Sequence, residues 1–76
     1  MDTAIAFGKV LREARLNRKI TQEALAYQAG LQRNYISLME RGHHQPTLET
    51  VFSLAEALDC SPLDLVRLTL ELIPVK

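Results

Sequence analysis

The sequence contains a single cysteine, Cys60, and no stretch of about 18 apolar residues that could cross a membrane. A lone thiol cannot form an internal disulfide bond, which is typical of proteins in a reducing compartment. The N-terminus has an acid at Asp2 and lacks the basic start and apolar stretch of a signal peptide. These absences favour a cytoplasmic protein.

Signals for catalysis are also missing. The chain has no glycine-rich phosphate loop, no cluster of metal ligands, and no serine, histidine and aspartate that are expected to converge. The adjacent His43 and His44 are unsuited to a metal site, because neighbouring residues rarely bind the same ion and no cysteine or third histidine is near. We therefore expect no enzymatic activity and no metal or cofactor.

The 76 residues are enough for one domain, which we assign to residues 1–76. The formal net charge is zero, but the charges are unevenly distributed. Residues 1–45 hold seven bases and four acids, whereas residues 46–76 hold two bases and five acids. Such a chain can present a basic face to nucleic acid, although mixed surface charge that is simply solvated would explain the same pattern.

Apolar residues recur at helical spacing, and neither sustained alternation nor a hairpin turn indicates a strand, so the chain is expected to be all-α. The first helix should end near Asn17, with Arg12 and Arg15 away from its core face. That core face is expected to consist of Phe7, Val10, Leu11 and Ala14.

The second helix should begin after Thr21, whose hydroxyl can accept a free N–H of the first turn, and run to about Ala29. Gly30 suits the left-handed turn that follows. A third helix, weakly capped at its start, is predicted from about Gln32 to Glu40.

Two further helices are predicted in the second half. Thr47 should cap the fourth, and Ser61 the fifth, with Pro62 in the first helical position and Asp64 near the positive helix end. The fourth helix carries the apolar residues Leu48, Val51, Phe52, Ala55 and Leu58. Cys60, between these helices, is expected to be a buried and inert thiol.

The fifth helix carries two apolar stripes on roughly opposite sides. The first stripe consists of Leu63, Val66, Leu70 and Ile73, and the second of Leu65, Leu68 and Leu72. A wholly buried helix would explain both stripes. We prefer the interpretation in which one stripe faces the core and the other, the first stripe, contacts a partner chain. The fifth helix is then a dimerisation helix.

The stretch "TQEALAYQAGLQRNYISLMERG" has the pattern of two helices that cross steeply. Ala26, Gly30 and Ile36 stand at the required spacing, with Leu25 and Met39 behind them. Here the sequence resembles the Cro/repressor-type helix-turn-helix family, also called XRE, in "TQEALA", "AGL", "YIS" and "ERG". The segment "PTLETVFSLAEALDCSP" is similar to the helices that follow in this family, and the resemblance covers roughly residues 5–72.

The resemblance implies a compact five-helix bundle of the lambda-repressor-like DNA-binding type, with the third helix in the major groove. The implied base-reading residues are Gln32, Arg33, Asn34 and Ser37. Arg33 suits guanine, Asn34 suits adenine or a phosphate, and Leu38 can at most touch a thymine methyl or only pack. As an alternative, Arg33 is a solvated side chain or an ion-pair partner of Glu40.

The same resemblance implies contacts with DNA phosphates from both ends of the helix pair. These residues are Arg18, Lys19, Gln22, Tyr35, Arg41, His43 and His44. For Tyr35 the alternative is that its ring packs against the core.

The resulting hypothesis is a homodimeric regulator of transcription that recognises a pseudo-palindromic site in double-stranded DNA. RNA polymerase and a toxin protein are candidate additional partners. Among family types, a restriction–modification controller protein fits the length and the helix "RNYISLMERG" somewhat better than a phage-type repressor or an antitoxin. The alternative is a protein-interaction module or antitoxin with the same fold, in which DNA binding is secondary or lost.

Overall fold

The computed structural model describes residues 2–74, which contain five helices and no strand. The helices are α1 (Thr3–Asn17), α2 (Gln22–Ala29), α3 (Arg33–Glu40), α4 (Leu48–Ala57) and α5 (Pro62–Leu72). The predicted all-α five-helix fold is therefore confirmed. In this arrangement α1 packs against α3 and α5, while α4 packs against α2 and α5.

Local capping residues stand at the start of four of the helices. Asp2, Thr21, Thr47 and Ser61 each accept a hydrogen bond of 3.0–3.1 Å from a backbone N–H two or three residues further along the chain. Gln32 precedes α3 without a side-chain capping bond, as predicted. These bonds satisfy N–H groups that the first helical turn leaves without a partner.

All five helices contribute to one core. Its buried residues are Phe7, Val10, Leu11, Leu25, Ala26, Ile36, Met39, Val51, Leu54, Ala55, Leu58 and Leu65. The helices α1 and α3 lie very close together at Gly8, where an added Cβ would clash with the backbone oxygen of Met39. Only glycine permits this contact, so Gly8 fixes how near α3 lies to α1.

Two of the apolar residues named for the fourth helix do not reach the core. Leu48 and Phe52 lie on the solvent side, with 71% and 56% of their surface exposed. Leu54, which was not among the residues named for this helix, is fully buried. The buried arc of α4 is centred on Leu54, Leu58 and Val51, and at about 100° per residue Leu48 and Phe52 fall beyond its edge.

The interpretation of α5 as a wholly buried helix is also wrong. Only Leu65 and Thr69 are buried in this helix, and Leu63 is 77% exposed. Val66 and Leu70 are likewise exposed, and Ile73 is half-buried. In the second stripe Leu65 faces the core, whereas Leu68 and Leu72 remain partly exposed. The first stripe is therefore unpartnered within residues 2–74.

Candidate nucleic-acid interface

The helices α2 and α3 form a helix-turn-helix unit. Gly30 ends α2 with φ +70°, and the N–H of Leu31 donates a 2.8 Å hydrogen bond to the carbonyl oxygen of Ala26. Leu25, Ala26 and Ile36 are buried where the two helices cross, which confirms the predicted packing of this unit. The left-handed turn changes the direction of the chain over few residues, and the buried side chains of α3 fix the orientation of this helix.

The opposite side of α3 presents polar side chains to solvent at its beginning. Gln32, Arg33 and Asn34 are exposed, and within residues 2–74 their side chains form no hydrogen bond or ion pair. Ser37 and Leu38, further along, are half-buried. The first three residues therefore have free donors and acceptors on a rigidly held helix, as a base-reading surface requires.

A buried ion pair connects α1 to the last residue of α3. Arg15 donates from Nε to Glu40 Oε2 at 2.7 Å and from Nη2 to Glu40 Oε1 at 3.0 Å. Its Nη1 donates to the carbonyl oxygen of Ile20 at 2.9 Å. The hydrogen bonds with Glu40 raise the pKa of Arg15, against the opposing effect of burial. The two side chains are 9% and 3% exposed, so this is a bidentate pair in a nearly dry environment.

This ion pair corrects two expectations from the sequence. Arg15 belongs to the buried part of α1, although it was placed away from the core face. Around the helix axis Arg15 lies between Leu11 and Gly8, which both face the core. Its helical position therefore indicated burial, although its charge favoured an exposed position. In addition, Glu40 pairs with Arg15, and the alternative in which it pairs with Arg33 is wrong.

Gln22 joins the same network from the start of α2. Its Nε2 donates to Glu40 Oε1 at 3.0 Å, and this single bond uses one of its two amide hydrogens. Gln22 is thereby held at the N-terminal end of α2, where free backbone N–H groups and the helix dipole attract anions. The three side chains connect α1, α2 and α3 around the start of the helix-turn-helix unit.

The other predicted phosphate contacts occupy two segments. Arg18 and Lys19 are exposed in the turn after α1, where Arg18 forms a loose pair with Asp59 at 3.8 Å. Lys19 itself adopts a left-handed backbone with φ 58°.

The second segment follows α3, where Arg41, His43 and His44 are all exposed. Tyr35 packs partly against the core, and its ring meets that of His44 edge-on at a centroid distance of 6.1 Å. The predicted contacts of these residues with phosphate stay predictions.

Neither a metal site nor a reactive thiol is apparent in residues 2–74. No group of three potential metal ligands occurs there. Cys60 is a free, half-buried thiol rather than a fully buried one. Burial and the carboxylates of Asp64 and Asp59 raise the pKa of Cys60, with Arg18 opposing them. A raised pKa leaves little thiolate at neutral pH.

The five-helix fold and the packing of α2 against α3 are those of a helix-turn-helix protein. Residues 11–65, more than half of the chain, match the helix-turn-helix family, and the chain belongs to that family in its Cro/repressor (XRE) form. Its members include transcriptional regulators and controller proteins. None of the helices within residues 2–74 combines the length and apolarity that crossing a membrane requires.

Three relatives illustrate the similarity. The control protein C.BamHI of Bacillus amyloliquefaciens is 36% identical over 66 residues, which cover 86% of this chain and 82% of the relative. The uncharacterized HTH-type transcriptional regulator y4dJ of Sinorhizobium fredii is 35% identical over 69 residues, which cover 91% of this chain and 90% of the relative. The crystal structure of the restriction–modification controller protein C.AhdI from Aeromonas hydrophila superposes with a TM-score of 0.80 at 40% identity, covering 82% of this chain and 94% of the other.

Proposed function

We propose that the protein is a sequence-specific regulator of transcription that inserts α3 into the major groove of double-stranded DNA. The observation that carries this proposal is that the side chains of Gln32, Arg33 and Asn34 are exposed and form no hydrogen bond within residues 2–74. They stand at the start of a helix whose other side is buried in the core. Unpaired amide and guanidinium groups match the donor and acceptor patterns of base edges. We also propose that the protein has no catalytic role and that it is located in the cytoplasm.

The proposed contacts with DNA are of two kinds, with base edges and with backbone phosphates. Arg33 can donate two hydrogen bonds to guanine O6 and N7, and Asn34 can pair with adenine. Gln22, fixed by Glu40, keeps one amide hydrogen for a phosphate oxygen and acts together with the free N–H groups of α2. Contacts on both sides of α3 would then set its depth and register, while the side chains at its start read the bases.

The protein is further proposed to act as a homodimer through α5. Leu63, Val66 and Leu70 of the first stripe are exposed. Val66 and Leu70, together with Ile73, line an apolar groove of about 270 Å³ that Phe7 also borders. Exposed leucines beside an apolar groove favour a self-complementary contact between two copies. A symmetric pair of α3 helices would meet half-sites about 34 Å apart, which predicts a pseudo-palindromic operator.

Selection from a randomised duplex pool at two salt concentrations tests DNA recognition. We expect an enriched inverted repeat and an affinity that falls as salt rises, because phosphate contacts release counterions. Replacing Arg33 with Ala should cost about 1–3 kcal/mol on the selected site and relax preference at one base pair. Arg12→Ala removes an exposed arginine of α1 and serves as the control for lost charge. Weak binding without enrichment would refute the proposal and favour a protein-binding role.

Sedimentation of two matched variants tests the dimer. Leu70→Glu places a charge in the exposed stripe and should shift the protein toward monomer, whereas Leu68→Glu on the other side of α5 should not. Both variants require an unchanged helical circular dichroism spectrum. A dimer that withstands Leu70→Glu would exclude this stripe as the interface.

A further inference from the structure

The solvent face of α1 carries a stripe that the proposed DNA and dimer surfaces do not use. It consists of Ile5, Lys9, Arg12 and Leu16, all exposed and spaced at one or two helical turns. Lys9, Arg12 and Leu16 line one shallow depression of the surface together with Glu13. Neither Lys9 nor Arg12 forms an ion pair within residues 2–74. This basic α1 stripe thus combines apolar contact area with unpaired positive charge.

The solvent face of α4 has the complementary composition. Its stripe consists of Leu48, Glu49, Phe52 and Glu56, which are also all exposed. The arc contains no base, and neither Glu49 nor Glu56 has an ion-pair partner in residues 2–74. Phe52, a large aromatic ring exposed beside two carboxylates, has no packing role in the core. This acidic α4 stripe therefore pairs apolar area with unpaired negative charge.

The two stripes cannot meet within one protomer. Helix α1 packs against α3 and α5, whereas α4 packs against α2 and α5, and both stripes lie on the sides that face away from the core. Each stripe would need a partner of opposite charge with apolar groups at matching helical spacing. A second copy of the chain provides such a surface for either stripe.

We infer that the acidic α4 stripe of one copy packs against the basic α1 stripe of another. The contact joins two different surfaces, so it is head-to-tail and distinct from a symmetric contact through α5. Opposite charges orient the helices, and burial of the leucine, isoleucine and phenylalanine side chains supplies the attraction. Because the paired charges are exposed, the contact weakens as salt rises. It links copies or dimers into larger assemblies and does not depend on DNA.

Charge reversal on each stripe provides the test. The variant Lys9→Glu/Arg12→Glu makes the α1 stripe acidic, and Glu49→Lys/Glu56→Lys makes the α4 stripe basic. Each variant alone should self-associate about tenfold more weakly than the wild type in sedimentation at low salt. An equimolar mixture should recover association, since both of its cross-contacts then join opposite charges.

A second pair of variants controls for net charge. Arg18→Glu/Lys19→Glu and Glu23→Lys/Asp59→Lys change the net charge by the same amounts at exposed positions outside both stripes. Recovery in the stripe mixture but not in this control mixture supports the inference. Equal association of the two mixtures, or wild-type association of either stripe variant alone, overturns it. Leu70→Glu separates this contact from the proposed dimer, because it should remove only the symmetric association.

Discussion

Replacing Glu40 with Gln should strongly destabilise the protein. The substitution preserves size but removes the negative charge opposite a guanidinium that is nearly dry. It also places an amide donor where Glu40 accepts from Arg15 at 2.7 Å or 3.0 Å, so two donors face each other. Leaving one buried charge without its partner costs about 3–5 kcal/mol. A domain of this size has about 4–11 kcal/mol in total, so the variant should be marginally folded.

Urea denaturation followed by far-ultraviolet circular dichroism measures this loss. With a slope of about 1 kcal/mol/M, this loss should lower the urea midpoint by about 3–5 M. Glu71→Gln is the matched control, because its bond with Arg67 at 3.1 Å is exposed and should contribute less than about 1 kcal/mol.

A double-mutant cycle decides whether the pairing itself is responsible. Arg15→Met removes the other charge, and the double variant Arg15→Met/Glu40→Gln leaves neither charge buried. If the reasoning is correct, the double variant is less destabilised than the sum of the single variants by more than about 1 kcal/mol. Additive losses, or a loss below about 1 kcal/mol for Glu40→Gln, would refute the reasoning.

Three further predictions concern backbone geometry and the thiol. Gly8→Ala should destabilise the protein by about 3 kcal/mol or more in urea melts, because the added Cβ would clash with a backbone oxygen of α3. An unchanged urea midpoint would contradict the close approach of the two helices. Lys19→Gly should stabilise it by about 1 kcal/mol in the same assay, because glycine adopts the φ of 58° without strain, and a loss of stability would argue against that strain. At pH 7–8, iodoacetamide should alkylate Cys60 more slowly in the folded protein than in urea, because the raised pKa of the thiol lowers the thiolate fraction. Equal rates in a mass-spectrometric time course would show that the fold does not suppress this thiol.

The predictable part of the fold was local. Thr21, Thr47 and Ser61 cap the helices that follow them, since a capping bond spans only two or three residues and depends little on the rest of the chain. Gly30 takes the left-handed turn for the same reason. The spacing of Ala26 and Ile36 also predicted the crossing of α2 and α3 correctly, because these residues lie in adjacent helices.

The sequence determined the five helices and placed Gln32, Arg33 and Asn34 at the start of α3. The tertiary structure decided which charged and apolar side chains are removed from water. Arg15 and Glu40 lie 25 positions apart, so their pairing required the approach of α1 to α3. Leu48 and Phe52 are exposed because α2 and α5 cover only part of the apolar arc of α4. Helical periodicity predicts an apolar face, whereas burial depends on how much of that face neighbouring helices contact.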